Sequence, residues 1–225
     1  MTYVRWLVTL KERPSPHLCT RKGDAMSTFQ TWWIVSGLVL LILAVWIGTQ
    51  TTKRYLGILI DGRGRYSLTH FQIVLWTIII LSSAIGVLIS KGFDPTNFGL
   101  SSQLLGLMGI SAGSAVLATG VKATKDAPEA TANVARAGTF TLSDGTTTPI
   151  TPHFAQIWLE EEGDLADKVV SITKYQNFIF TLVIVGFYVT IAWKAGGLPT
   201  LPDNVVWLIG ISHAGYVGGK VPDKK

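Results

Sequence analysis

The chain has 225 residues, 48% of them hydrophobic and only 15% charged, with a mean hydropathy of +0.39. Soluble domains carry about 25% charged residues, so the composition argues against an ordinary water-soluble fold. The formal net charge is +5, from 19 Lys and Arg against 14 Asp and Glu; such a surplus can signal nucleic acid, but the positions of the charges point elsewhere.

The first 25 residues hold five basic residues, Arg5, Lys11, Arg13, Arg21 and Lys22, and the single cysteine, Cys19. One cysteine allows no disulfide, CxxC pair or thiolate metal site within the chain. Met26 then opens MSTFQTWWIVSGLVLLILAVW, which runs into an apolar stretch with no positive charge before it. Residues 1–25 are therefore expected to be an N-terminal arm outside the working protein, a mis-assigned start. The competing reading is a real cytoplasmic arm, with one span fewer or a re-entrant segment.

Five stretches lack any charged residue: 31–52, 66–90, 98–121, 175–193 and 205–219. A bilayer crossing takes about 20 residues, so these read as transmembrane helices, the last being the shortest. The expected layout is helices 1–3 over 26–121, a cytoplasmic linker over 122–174, helices 4–5 over 175–219 and a tail at 220–225. Alternate connections differ sharply in basic content. Four basic residues (Lys53, Arg54, Arg63, Arg65) follow the first span, five (Lys122, Lys125, Arg136, Lys168, Lys174) follow the third, and three (Lys220, Lys224, Lys225) close the chain. The other two loops hold only Lys91 and Lys194. Positive charge is retained in the cytoplasm, so a chain starting at Met26 has its N-terminus outside and its C-terminus inside.

An internal repeat organises the spans. SLTHFQIVLWT (67–77) aligns without a gap to SITKYQNFIFT (171–181), and LMGIS (107–111) matches LIGIS (208–212). Spans 2–3 thus recur as spans 4–5, and an even number of crossings per copy makes the copies parallel. Each copy opens with Ser-x-Thr-x-x-Gln. Ser67 and Ser171 are expected to cap the first turn, and Gln72 and Gln176 to bond across to neighbouring helices. Gly109 and Gly113 in the third span, and Gly210, Ala214 and Gly218 in the fifth, form small-residue stripes that allow close helix packing. They are expected to face each other or a second copy.

GISAG (109–113) matches the GxSxG nucleophile elbow in letters only, because that motif needs a strand-to-helix turn with His and acidic partners. No catalytic residue, metal site or cofactor is expected, and neither GxGxxG nor a Walker sequence supports nucleotide binding. His213 is the strongest basic candidate within a span; with Ala112 at the matching place in the first copy, it has no evident paired ligand. Asp61 to Arg65 (DGRGR) could contact lipid headgroups or a partner through Arg63 and Arg65. In the 122–174 linker, 139–150 reads as a hairpin around Asp144 and Gly145. Phe154, Ile157 and Trp158 suggest an amphipathic turn, with Phe154 and Trp158 available to lipid or a partner.

The segments GRYSLTHFQIVLWT (64–77), LLGLMGISAG (104–113) and LIGISHAGYVGGK (208–220) resemble a group of small bacterial multi-span membrane proteins with no settled activity. That resemblance implies a bacterial inner-membrane location. The sequence as a whole is expected to encode an all-α membrane protein: five transmembrane helices, spans 2–3 duplicated as 4–5, and a small cytoplasmic loop segment. The expected function is a non-enzymatic scaffold or anchor, bound to the bilayer, self-associating or joined to membrane-complex partners, and presenting its loops to a cytoplasmic protein. Nucleic acid is not an expected partner. The alternative is a small channel or transporter, with Gln72, Gln176, Ser111, Ser212 and His213 along a polar path.

Overall fold

The computed structural model describes residues 27–94, 99–127 and 133–221; the expected arm at 1–25 lies outside the described residues. Five helices dominate: α1 (Thr28–Thr52), α2 (Leu68–Ser90), α3 (Ser102–Lys125), α4 (Ile172–Ala195) and α5 (Asp203–Gly218). Between α3 and α4, strands β1 (Gly138–Thr141) and β2 (Thr147–Ile150) pair antiparallel about Asp144 and Gly145. A 3₁₀ turn, Phe154–Ile157, follows.

Helices α1 to α4 are long and apolar enough to cross a membrane, and much of their outward surface is apolar. On α1, Leu38, Val39, Ile42 and Trp46 are all more than half exposed, the arrangement expected where lipid is the solvent. These features fit an all-α membrane protein. The fifth expected span is shorter than the rest. At 16 residues, α5 covers about 24 Å against a hydrocarbon core of about 30 Å.

The helix contacts fix the directions. Helix α1 runs antiparallel to α2: Trp33 Nε1 donates to Ser82 Oγ at 3.0 Å, and Gly48 lies against the backbone of Gly57 and Ile58 at the other end. Helices α2 and α4 are parallel, with Gln72 on Thr181 and Ser83 on Tyr188. Helices α3 and α5 are also parallel, since Gln103 meets Asp203 and Ser114 meets His213. One end of the bundle therefore gathers the end of α1, the starts of α2 and α4, and the ends of α3 and α5; it is called the charged end below.

A close helix-to-helix backbone approach occurs where α1 crosses α2. A Cβ on Gly86 would sit 3.1 Å from Trp33 N and 3.3 Å from Phe29 O. The expected stripes behave differently. Gly109, Gly113 and Gly218 look onto open space, Ala214 is exposed, and only Gly210 meets the facing helix, 3.7 Å from Ile110. The contact between α3 and α5 instead falls on Gly106 against Val206 and on Gly210 against Ile110. Sequence spacing identifies a stripe, whereas the rotation of the helix decides which stripe faces inward.

Helix starts follow the repeat, but their caps do not. Ser67 and Ser171 occupy the N-cap positions of α2 and α4 without making a cap bond. Their backbones are held by preceding chain instead: Ser67 N donates to Leu59 O and Ser171 N to Trp158 O. The cap bonds belong to α1, where Ser27 and Gln30 form a reciprocal box, and to α3, where Ser101 accepts from Leu104 N. Each satisfies an amide that would otherwise be orphaned in the first turn.

Candidate functional site

The 133–171 segment folds onto the charged end and inserts a carboxylate among four cations. Glu161 is buried. Lys174 Nζ approaches its Oε1 at 2.6 Å, Lys220 Nζ lies 3.0 Å from both oxygens, and Lys122 Nζ and Arg63 Nη1 each lie 3.4 Å from Oε2. These cations come from the start of α4, the chain after α5, the end of α3 and the loop before α2. One acid thus ties together four elements that the chain brings in separately.

Further pairs surround this hub. Lys122 Nζ reaches Asp61 Oδ2 at 2.6 Å, Arg63 Nε reaches Asp126 Oδ1 at 3.2 Å, Lys125 Nζ reaches Glu162 Oε2 at 2.6 Å and Arg65 Nη2 reaches Asp167 Oδ1 at 2.9 Å. Arg63 is 5% and Arg65 2% exposed, so both expected lipid or partner contacts point inward. Arg65 Nε and Nη1 are buried without a partner among the described residues. The loop carrying them is compressed against the platform: Gly64 has φ +73°, and a Cβ there would fall 2.6 Å from Ala137 Cβ. Gly64 meets both demands, because it tolerates positive φ and has no Cβ.

Two uncharged features complete the attachment. Gln156 is fully buried; its Oε1 accepts from Tyr66 N and His153 N, and its Nε2 donates to Thr151 O and Asp167 Oδ2. Phe154 and Trp158 join Tyr66, Phe71 and Phe178 in a cluster with ring centroids 5.4–6.5 Å apart, within the range where aromatic pairs attract. The expected amphipathic turn therefore packs largely against α2 and α4, with Phe154 still 39% exposed.

Burial by itself would raise the pKa of Glu161, but Lys122, Lys174 and Lys220 together outweigh it and hold the carboxyl well below the ordinary 4.5. Asp61 is held low in the same way, with Lys122 prevailing over burial. A depressed acid contributes stability that is complete above its unfolded pKa and lost as pH falls through its folded value. The thermal midpoint is accordingly expected to stay level from pH 7 to about 5 as far as these acids are concerned, and to fall only below about pH 4 as they protonate. Melting curves between pH 7 and 3 check this; a drop centred near pH 6 would contradict it.

Within the bundle, polar side chains are mostly paired between helices. Gln72 Nε2 donates to Thr181 Oγ1 at 2.7 Å, Ser212 Oγ to Asn177 Oδ1 at 3.0 Å, and Ser114 Oγ meets His213 Nδ1 at 2.5 Å. Ser111 Oγ and Asn177 Nδ2 are buried and have no partner among the described residues. Gln176, the repeat counterpart of Gln72, is exposed. Gln72→Leu is expected to lose about 0.6–1.7 kcal/mol, the range for interhelical bonds in membranes, and Gln176→Leu about nothing. Unfolding titrations in mixed micelles would decide; equal losses would mean that the two copies are equivalent in packing.

Sequence reasoning missed Glu161, Lys122, Lys174 and Lys220 as one group. A signal was present in the three consecutive acids at 160–162, placed between helices whose ends at the same side are basic. Comparison of the chain with family models, with curated proteins and with solved structures finds no match, so its function is argued from this geometry.

Proposed function

We propose that the chain is a non-enzymatic membrane scaffold in which the 133–171 segment is a rigid platform for a partner. The observation that carries this reading is the Glu161 hub, because a segment sharing one buried carboxylate with four structural elements holds its outer face in fixed register with the helices. That face includes the β1–β2 hairpin and, toward the start of α4, exposed Leu165, Val170 and Ile172. Apolar side chains at such a boundary suit contact with a protein or with the interfacial layer.

In this reading the charged end is cytoplasmic, following the Lys and Arg asymmetry, and the host membrane is the bacterial inner membrane that the motif resemblance implies. Helix α5 completes a fifth crossing beside α3, and α2–α3 and α4–α5 descend from one hairpin. The parallel directions of α2 with α4 and of α3 with α5 support that duplication. A polar path for transport is favoured only by Ser111 Oγ and Asn177 Nδ2, which lack a partner among the described residues, whereas Gln72, Ser212 and His213 are bonded to neighbouring helices and Gln176 is exposed.

Affinity purification from native membranes tests the scaffold. A discrete partner is expected with the wild-type chain and lost with Leu165→Asp, whose exposed site leaves the hub intact. No partner, together with ion flux from purified protein in liposomes, would overturn the scaffold in favour of the channel.

A further inference from the structure

Helices α2 and α3 line two cavities of different chemistry, one after the other along their length, which together are called a groove below. At the charged end it is a polar cavity of about 240 Å³ lined by the first turn of α2 and the last turns of α3. Further along, the same two helices line an apolar cleft of about 340 Å³. The two parts lie on the same helix faces. On α2 the lining passes from His70 to Ile73, Thr77, Ile80 and Ala84, at intervals of three or four residues. On α3 it passes from Lys122 and Thr119 to Ala112 and Met108. From His70 to Ala84 the groove runs about 21 Å at 1.5 Å per residue, more than the roughly 15 Å depth of one leaflet's hydrocarbon.

We infer that this groove is a binding site for one phospholipid with a phosphoethanolamine headgroup, the headgroup filling the polar cavity and an acyl chain the apolar cleft. Two features suit the phosphate of such a headgroup. The first-turn amides of α2 at Thr69 and His70, two residues that line the cavity, have no acceptor within the helix and carry the positive end of its dipole. Ser67, only 2% exposed, lines the cavity and does not spend its hydroxyl on capping. Both are donors suited to a phosphate oxygen.

The charges of the cavity decide between headgroups. Arg63 and Lys122 line it together with Asp61 and Asp126, so the wall has no surplus cation to favour a purely anionic lipid. Asp126 is the more open of the two acids, its side chain 31% exposed against 10% for Asp61; its Oδ1 accepts from Arg63 Nε and Arg136 Nη2, whereas among the described residues its Oδ2 accepts from Arg63 Nε alone, at 3.3 Å, and keeps a lone pair for an ammonium. A primary ammonium donates to a carboxylate, whereas a quaternary choline has no N–H to give.

Native mass spectrometry of the whole protein, exchanged from detergent into mixtures of phosphatidylethanolamine, phosphatidylcholine and phosphatidylglycerol of matched chains, tests the site. One phosphatidylethanolamine per chain is expected, held at least ten times more strongly than either competitor. Ala112→Phe, which fills the apolar cleft, is expected to abolish retention, Ser67→Val to weaken retention of all three lipids alike, and Asp126→Asn to erase the headgroup preference. Soluble phosphoethanolamine is expected to bind no more than a tenth as well, since it cannot use the cleft. Equal retention of the three lipids would overturn the inference. So would retention unaffected by Ala112→Phe, or binding of soluble phosphoethanolamine as tight as that of the lipid.

Discussion

Glu161→Gln is expected to be among the most damaging single substitutions in the chain, costing about 3–5 kcal/mol, the penalty for breaking a buried ion pair by removing one partner. The size follows from what remains. Lys122, Lys174, Lys220 and Arg63 would still converge on one buried point, and the counter-charge they share would be gone. The expected result is a lowered melting temperature and protease cleavage within 133–171, with the helices still formed. Lys168→Gln, on the exposed outer face, should leave both readouts unchanged. Adding Lys174→Gln to Glu161→Gln should recover part of the loss, since it removes one stranded cation; a strictly additive double variant would show that the two residues are not coupled.

Gly86→Leu has the second large expected effect. All three atoms nearest its missing Cβ belong to the backbone of Trp33 and Phe29, so no side-chain rotation can make room and α1 must move off α2. Overpacking of this kind costs about 1–3 kcal/mol, and the upper end applies where the obstacle is backbone. The displacement would also separate Trp33 from Ser82 and Ser36 from the Ser82 carbonyl, bonds that span the same crossing. Gly109→Leu, with nothing within 4 Å of its Cβ, should fall within about 0.5 kcal/mol of wild type. Denaturation of the two variants in the same detergent compares them. A loss at Gly109 matching that at Gly86 would return the tight contact to the small-residue stripe.

These contrasts show which parts of the fold were legible in the sequence. Four long helices follow from runs without charge, because an apolar segment of that length has few other stable forms in lipid. Helix α5 was less legible: its uncharged run was already the shortest, and the helix itself stops at 16 residues. The starts of α2 and α4 were also legible, each one residue after the Ser of its motif. The capping role of those serines was not, since backbone bonds to Leu59 and Trp158 came from chain that sequence spacing does not align.

The candidate site was the least legible part, for a physical reason. Counting Lys and Arg by loop treats every charge as solvated, yet Arg63, Arg65, Lys125 and Lys174 are each less than a tenth exposed. Their acids lie far along the chain, with 63 residues between Arg63 and Asp126 and 59 between Lys220 and Glu161. Pairing at such separations leaves no periodicity to detect. The excess of basic residues at one end still bears on orientation, but the same residues also bind the connecting segment to the bundle.

Hydrogen exchange across 133–171 in the intact protein, in lipid nanodiscs, is the most direct measurement of that arrangement. The account predicts slow exchange at Ala135, Ala137, Glu160 and Ser171, whose amides donate to Glu161, Arg63, Val169 and Trp158 carbonyls, and fast exchange at the same amides in Glu161→Gln while the helices stay protected. Exchange in the wild-type segment at the rate of a free peptide would contradict it.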